Sequence, residues 1–111
     1  KQMLEGKPLT ITNDGNQRRD FTYVQDVVEA NILAAEYQDK LNGESFNIGN
    51  GDNYSINDVA DMLGGEKTYG EKRLEPFETL ADSTKAKNIL GWVPKGDLPK
   101  WIKIYKKSLG I

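Results

Sequence analysis

A short apolar run, Leu9-Thr10-Ile11, a glycine turn at Asn13-Asp14-Gly15-Asn16 and two adjacent arginines, Arg18-Arg19, all stand just ahead of a helix-forming segment. This order constrains the chain more than any other feature. A strand that runs through a tight turn into fixed cations before a helix suits anion capture, because arginine offers planar, bidentate donors that lysine does not reproduce. Read from the residues alone, Arg19 is either such an anchor or a surface arginine paired with Asp20 or Asp26.

The run Gly15-Asn16-Gln17-Arg18-Arg19-Asp20-Phe21-Thr22-Tyr23-Val24-Gln25-Asp26-Val27 closely resembles the G-x-Q-x-R-D-F-x-Y-V-x-D-V segment of the NAD-dependent epimerase/dehydratase family. These are extended short-chain dehydrogenases that act on nucleotide sugars. The likeness continues through Phe46-Asn47-Ile48-Gly49-Asn50-Gly51 to Ala81-Asp82-Ser83-Thr84-Lys85-Ala86-Lys87-Asn88-Ile89-Leu90-Gly91-Trp92-Val93-Pro94. Each block is a weak pattern alone; their order and spacing make them fairly specific. The resemblance implies an α/β, α+β-like fragment of short strands with about four helices, the C-terminal substrate-binding part of such an enzyme. The N-terminal Rossmann domain is expected to lie outside this sequence.

Gln17 falls on the glutamine of the motif and Arg19 on the arginine that, the resemblance implies, contacts the diphosphate of a nucleotide sugar such as a UDP-sugar. Arg18 occupies a variable position and reads as solvated. Family members carry a second phosphate arginine in an R-x-G-[DE] element whose acid accepts hydrogen bonds from ribose hydroxyls. Here the run is Lys72-Arg73-Leu74-Glu75: Glu75 fits the acid, Lys72 holds the arginine's place, Arg73 is one residue late and Leu74 replaces the glycine. Lys72 and Arg73 are thus either ligand contacts or part of a solvated loop. The family's base pocket follows the strand matched by Leu9 to Ile11. Leu9 and Ile11 would meet the base through their backbone, and Thr12-Asn13 stands where Tyr-Gly or Phe-Gly is common.

Family chemistry depends on an N-terminal G-x-x-G-x-x-G turn for NAD and on Tyr-x-x-x-Lys. Neither occurs: Tyr23, Tyr37, Tyr54, Tyr69 and Tyr105 are followed four residues on by Val27, Leu41, Asp58, Arg73 and Leu109. Gly49-Asn50-Gly51 reads as a turn, because it lacks the third glycine and the downstream ribose acid of a dinucleotide fingerprint. The expectation is therefore a chain that binds a nucleotide sugar, takes no cofactor alone and leaves NAD to the intact enzyme. Histidine and cysteine are absent, which removes the commonest general base, zinc ligand and disulfide framework.

At 111 residues and 37% hydrophobic content the chain is sized for one domain with a thin core. It begins with Lys1 rather than Met, as an excised or truncated product would. No apolar run approaches the ~18 residues of a membrane helix and no leader is visible, so a cytoplasmic setting is the default expectation. A net charge of −2 argues against a nucleic-acid surface. A helix-turn-helix beginning at Ser55 is disfavoured by Asp58, Asp61 and the lack of a basic helix after Gly65.

The local signals predict a helix tail at Met3-Leu4, a strand at Leu9 to Ile11, a β-prone stretch over Phe21 to Val24, and a helix from an Asp26 cap to about Gln38. Val27, Val28, Ala30, Ile32, Leu33, Ala34 and Ala35 cover more than one stripe of that helix. It therefore expects cover on several sides, and a homo-oligomer is expected. Further strands are predicted at Phe46 to Ile48 and Thr79 to Ala81, with a charged irregular stretch over Glu66 to Phe77. Helices are predicted after Ser55, after Asp82 or Ser83 until Gly91, and after Asp97. The last places Leu98, Trp101, Ile102, Tyr105 and Leu109 on one face opposite Lys100, Lys103, Lys106 and Lys107. Trp92, Trp101 and Tyr105 read as core aromatics rather than a cofactor box.

Overall fold

The computed structural model describes all of Lys1–Ile111. It is a mixed α/β arrangement in two compact units, one of Lys1–Arg19, Tyr54–Thr79 and Pro99–Ile111, the other of Asp20–Asn53 and Leu80–Leu98.

In the first unit, β1 (Leu9–Ile11) pairs in parallel with β4 (Lys67–Tyr69), Leu9 opposite Lys67 and Ile11 opposite Tyr69. Parallel partners need a crossover, and α2 (Ile56–Leu63) lies between them in sequence. β4 falls inside the stretch expected to be irregular: three exposed residues carry no hydrophobic alternation, and only the ladder to β1 makes them a strand. The arginines themselves form β2 (Arg18–Arg19), antiparallel to β3 (Tyr54–Ser55), a two-residue pair too short to leave a periodic signal.

Ser55 caps α2 as expected. Its hydroxyl accepts from the Asp58 N–H at 3.0 Å, and Asp58 Oδ2 accepts from the Ser55 N–H at 2.9 Å, a reciprocal box. These bonds from Ser55, the backbone one foremost, hold the Asp58 carboxyl below its ordinary value, with Arg18 at 3.7 Å adding attraction. Gly15 closes the turn between β1 and β2 at φ 78°, and a Cβ there would fall 2.3 Å from Asn57 Oδ1. Only glycine meets both conditions.

Pro99 onward, α4 (Leu98–Ser108) belongs to this unit. Ile102 is buried, but Trp101 and Tyr105 are 43% and 44% exposed and stack on each other with centroids 4.7 Å apart. The expectation that both join a core is corrected; of the three aromatics only Trp92 is buried.

The second unit is built on α1 (Val24–Ala35) and α3 (Thr84–Leu90) around Ala30, Ala86, Leu90 and Trp92, with Leu33, Phe46 and Ile48 packed against them. Several boundaries differ from the sequence reading. Phe21 to Val24 is not a strand: the extended residue Tyr23 is the N-cap, and α1 starts at Val24 and ends at Ala35. Asp26 is not the cap. It is buried in the first turn, where its carboxylate accepts from the backbone N–H of Lys95 at 3.1 Å and of Gly96 at 2.8 Å, while its carbonyl accepts from Trp92 Nε1 at 2.8 Å. Residues 46–48 form no ladder, because packing on the apolar cluster rather than strand pairing holds them. Neither is Thr79 to Ala81 a strand; the bridge there is one residue earlier, at Glu78.

Of α1, only Asp26 and Ala30 are buried, and Val24, Val28 and Ile32, four residues apart on one face, are 63%, 43% and 50% exposed. No helix is long and apolar enough to cross a membrane.

Candidate functional site

The first unit brings three segments together beyond the end of β1. Arg19, at the end of β2, directs Nη2 to Glu75 Oε2 at 3.2 Å and Nη1 to the carbonyl of Arg18 at 2.7 Å. Its recorded ion pair is thus with Glu75 and not with Asp20 or Asp26, because strand pairing of Arg18–Arg19 against Tyr54–Ser55 aims the side chain toward the 71–75 loop. The two side chains are 23% and 31% exposed, so the pair is partly screened and still open to a ligand.

Asn13 completes the cluster, and the sequence reading missed it. Its Nδ2 donates to Glu75 Oε1 at 2.8 Å and to the Arg73 carbonyl at 3.0 Å, and its Oδ1 accepts from the Arg73 N–H at 2.8 Å. The legible signal was an asparagine at the head of Asn13-Asp14-Gly15: asparagine tolerates the left-handed region, and Asn13 has φ 57°. The partners on the distant loop had no sequence signal.

Of the other expected site residues, none brings its side chain into this cluster. Lys72 and the Arg73 side chain are exposed on the loop, and Arg73 enters the network through its backbone alone. Ile11 is buried and Leu9 half-buried. Their backbones serve the sheet, with Leu9 N–H donating to the Glu66 carbonyl and the Ile11 carbonyl accepting from Gly70 N–H, both at 2.7 Å. Gln17 is buried and donates from Nε2 to the Thr12 carbonyl at 2.7 Å, while its Oε1 is buried without a protein partner. It braces the turn that carries Asn13.

In the second unit Asp20, the aspartate of the Arg-Asp-Phe motif, accepts from the backbone N–H groups of Asn50 at 2.8 Å, Gly51 at 3.0 Å and Ala81 at 3.1 Å. A Cβ on Gly49 would lie 2.3 Å from that of Ala81 and 2.9 Å from Asp20 Oδ2, so the turn closes only around glycine. A dinucleotide needs free amides and no anion at such a turn. Here the amides of Gly49, Asn50 and Gly51 are given to Ser83 and Asp20, so these residues do not fit NAD.

Residues 1–49 match the NAD dependent epimerase/dehydratase family. The UDP-glucuronate 4-epimerase of Thermodesulfobacterium geofontis is 34% identical over 113 residues, 93% of this chain and 33% of that protein. The UDP-glucuronic acid 4-epimerase of Bacillus cereus, solved with UDP-glucuronic acid and NAD, is 37% identical with a TM-score of 0.87, covering 97% of this chain and 38% of its own. The UDP-glucose 4-epimerase of Thermotoga maritima, solved with UDP-glucose, is 35% identical with a TM-score of 0.77, again over 97% and 38%. The chain spans about a third of the length of the curated relatives it matches.

Proposed function

The chain belongs to the NAD-dependent epimerase/dehydratase family, and within it we propose that these residues are the C-terminal, nucleotide-sugar-binding part of an NAD-dependent UDP-sugar epimerase. What supports the reading is the meeting of Arg19 and Glu75 at 3.2 Å, a fixed cation beside a fixed acceptor. Arg19 has spent two of its guanidinium donors, on Glu75 and on the Arg18 carbonyl, and offers the rest to the diphosphate. Glu75 accepts hydrogen bonds from ribose hydroxyls. Holding the nucleotide at both points presents the sugar in one orientation, which is the positioning part of catalysis.

The chemistry lies elsewhere in the intact enzyme. NAD supplies hydride exchange when bound there, outside these residues, whose glycine turn is closed by Asp20. This chain alone binds without turning over. Calorimetric titration of the chain with UDP tests the reading: saturable binding that Arg19→Ala weakens is expected, and no heat of binding at millimolar UDP overturns it.

The exposed stripe Val24, Val28 and Ile32 favours a second reading, that of a module whose role is association. A chain that self-associates and ignores UDP would establish that reading over the first.

A further inference from the structure

We propose that Asn13 is a positioning residue that fixes Glu75 for the paired hydroxyls of a ribonucleotide, and so gives this chain a preference for ribonucleoside over 2′-deoxyribonucleoside diphosphates. The proposal rests on the reading of Glu75 as the ribose acceptor.

Nothing apolar holds the loop that carries Glu75. No residue from Glu66 to Leu80 is buried, and Leu74 projects fully into solvent. Asn13 supplies what packing does not. With φ at 57° it leaves the direction of β1, and its amide meets the Arg73 peptide as a neighbouring backbone unit would, donating to the carbonyl at 3.0 Å and accepting from the N–H at 2.8 Å. The donation from Nδ2 to Glu75 Oε1 at 2.8 Å then fixes the acid itself. At this position aspartate would lack the donor, glycine would have no group to offer, and β-branched residues resist positive φ.

Glu75 is therefore held from both sides, Oε1 by Asn13 and Oε2 by Arg19. Each oxygen keeps lone-pair capacity, so two vicinal hydroxyls can be accepted without moving the carboxylate. A 2′-deoxyribose satisfies one oxygen only. A loose carboxylate would turn to make the best of the single hydroxyl, whereas a fixed one cannot, and a site built around a hydroxyl penalises its loss.

The test compares the unaltered chain with Asn13→Gly, which keeps the positive φ and removes the amide, and with Asn13→Asp, which keeps the shape, removes the donor and sets a second carboxylate against Glu75. Without ligand, exchange of the Arg73 amide proton followed by NMR should accelerate about tenfold or more in Asn13→Gly, while that of Gly70, bonded to Ile11, should not change. In calorimetry the unaltered chain should favour UDP over 2′-deoxy-UDP by about tenfold. Both variants should compress that ratio to within about threefold. An unchanged ratio with UDP still bound overturns the role of Asn13 alone, as does unchanged Arg73 exchange in Asn13→Gly. Failure of the unaltered chain to bind either nucleotide overturns the nucleotide reading and this proposal with it.

Discussion

Arg19 Nη2 stands 3.2 Å from Glu75 Oε2, whereas the adjacent Arg18 turns to Asp58 at 3.7 Å beside the α2 cap. Two neighbouring arginines in one short strand point to opposite faces, so their substitutions should separate. A hydrogen bond to a charged group contributes about 1.5–3 kcal/mol, so Arg19→Ala should weaken UDP roughly tenfold or more. Arg18→Ala should change it far less. Glu75→Ala should weaken UDP and spare inorganic pyrophosphate. Equal losses for the two arginines in calorimetry would mean that a diffuse positive patch holds the ligand.

With added NAD and UDP-glucose or UDP-glucuronic acid, the chain by itself should give no epimerised product. The expectation follows from the missing tyrosine-lysine pair and from a glycine turn whose amides are already taken by Asp20. Product above background, followed by chromatography of the sugars, would refute it.

Asp20 and Trp92 should matter for stability rather than for binding. Asp20 alone satisfies three backbone donors, and Asp20→Ala should cost about 3 kcal/mol or more in urea unfolding. Trp92 is 1% exposed and donates to the Asp26 carbonyl; Trp92→Ala should cost about 3–5 kcal/mol, and Trp92→Phe much less. Loss of UDP binding without loss of stability in Asp20→Ala would reassign that residue to the ligand.

The α2 box should fail in acid. The Asp58 carboxyl titrates below its ordinary value of 3.8 in the folded chain, chiefly through the Ser55 hydrogen bonds. As the pH falls through 3.8 the unfolded state takes up its proton first. The contribution is therefore complete above that pH and is lost as the pH drops through the lowered folded value. Asp58→Asn should flatten the acid limb of a melting-temperature profile slightly, the group being about half exposed. Ser55→Ala should cost about 1 kcal/mol at neutral pH.

The stripe of Val24, Val28 and Ile32 should drive association. We expect a dimer or larger species in sedimentation, shifted toward monomer by Val28→Lys with Ile32→Lys. A compact monomer of the unaltered chain at high concentration would count decisively against it.

Sequence alone determined the parts whose causes are local. Leu9–Ile11 is apolar and β-prone, Ser55 with Asp58 three residues on is a cap, and Gly91 ends α3 where the apolar spacing stops. The family was legible because its motifs are contiguous, and Arg19 and Glu75 were both named from them. The fold decided what depends on partners distant in sequence. It made Lys67–Tyr69 a strand through β1, denied one to residues 46–48 and exposed Trp101 and Tyr105. It drew Asp26 into the interior to hold Lys95 and Gly96, a role a cap assignment could not foresee. Above all it joined Asn13 to Arg73 and Glu75. Hydrogen bonds between residues some sixty positions apart leave no periodicity and no propensity in the chain, since either partner alone is an ordinary polar residue in a turn or loop.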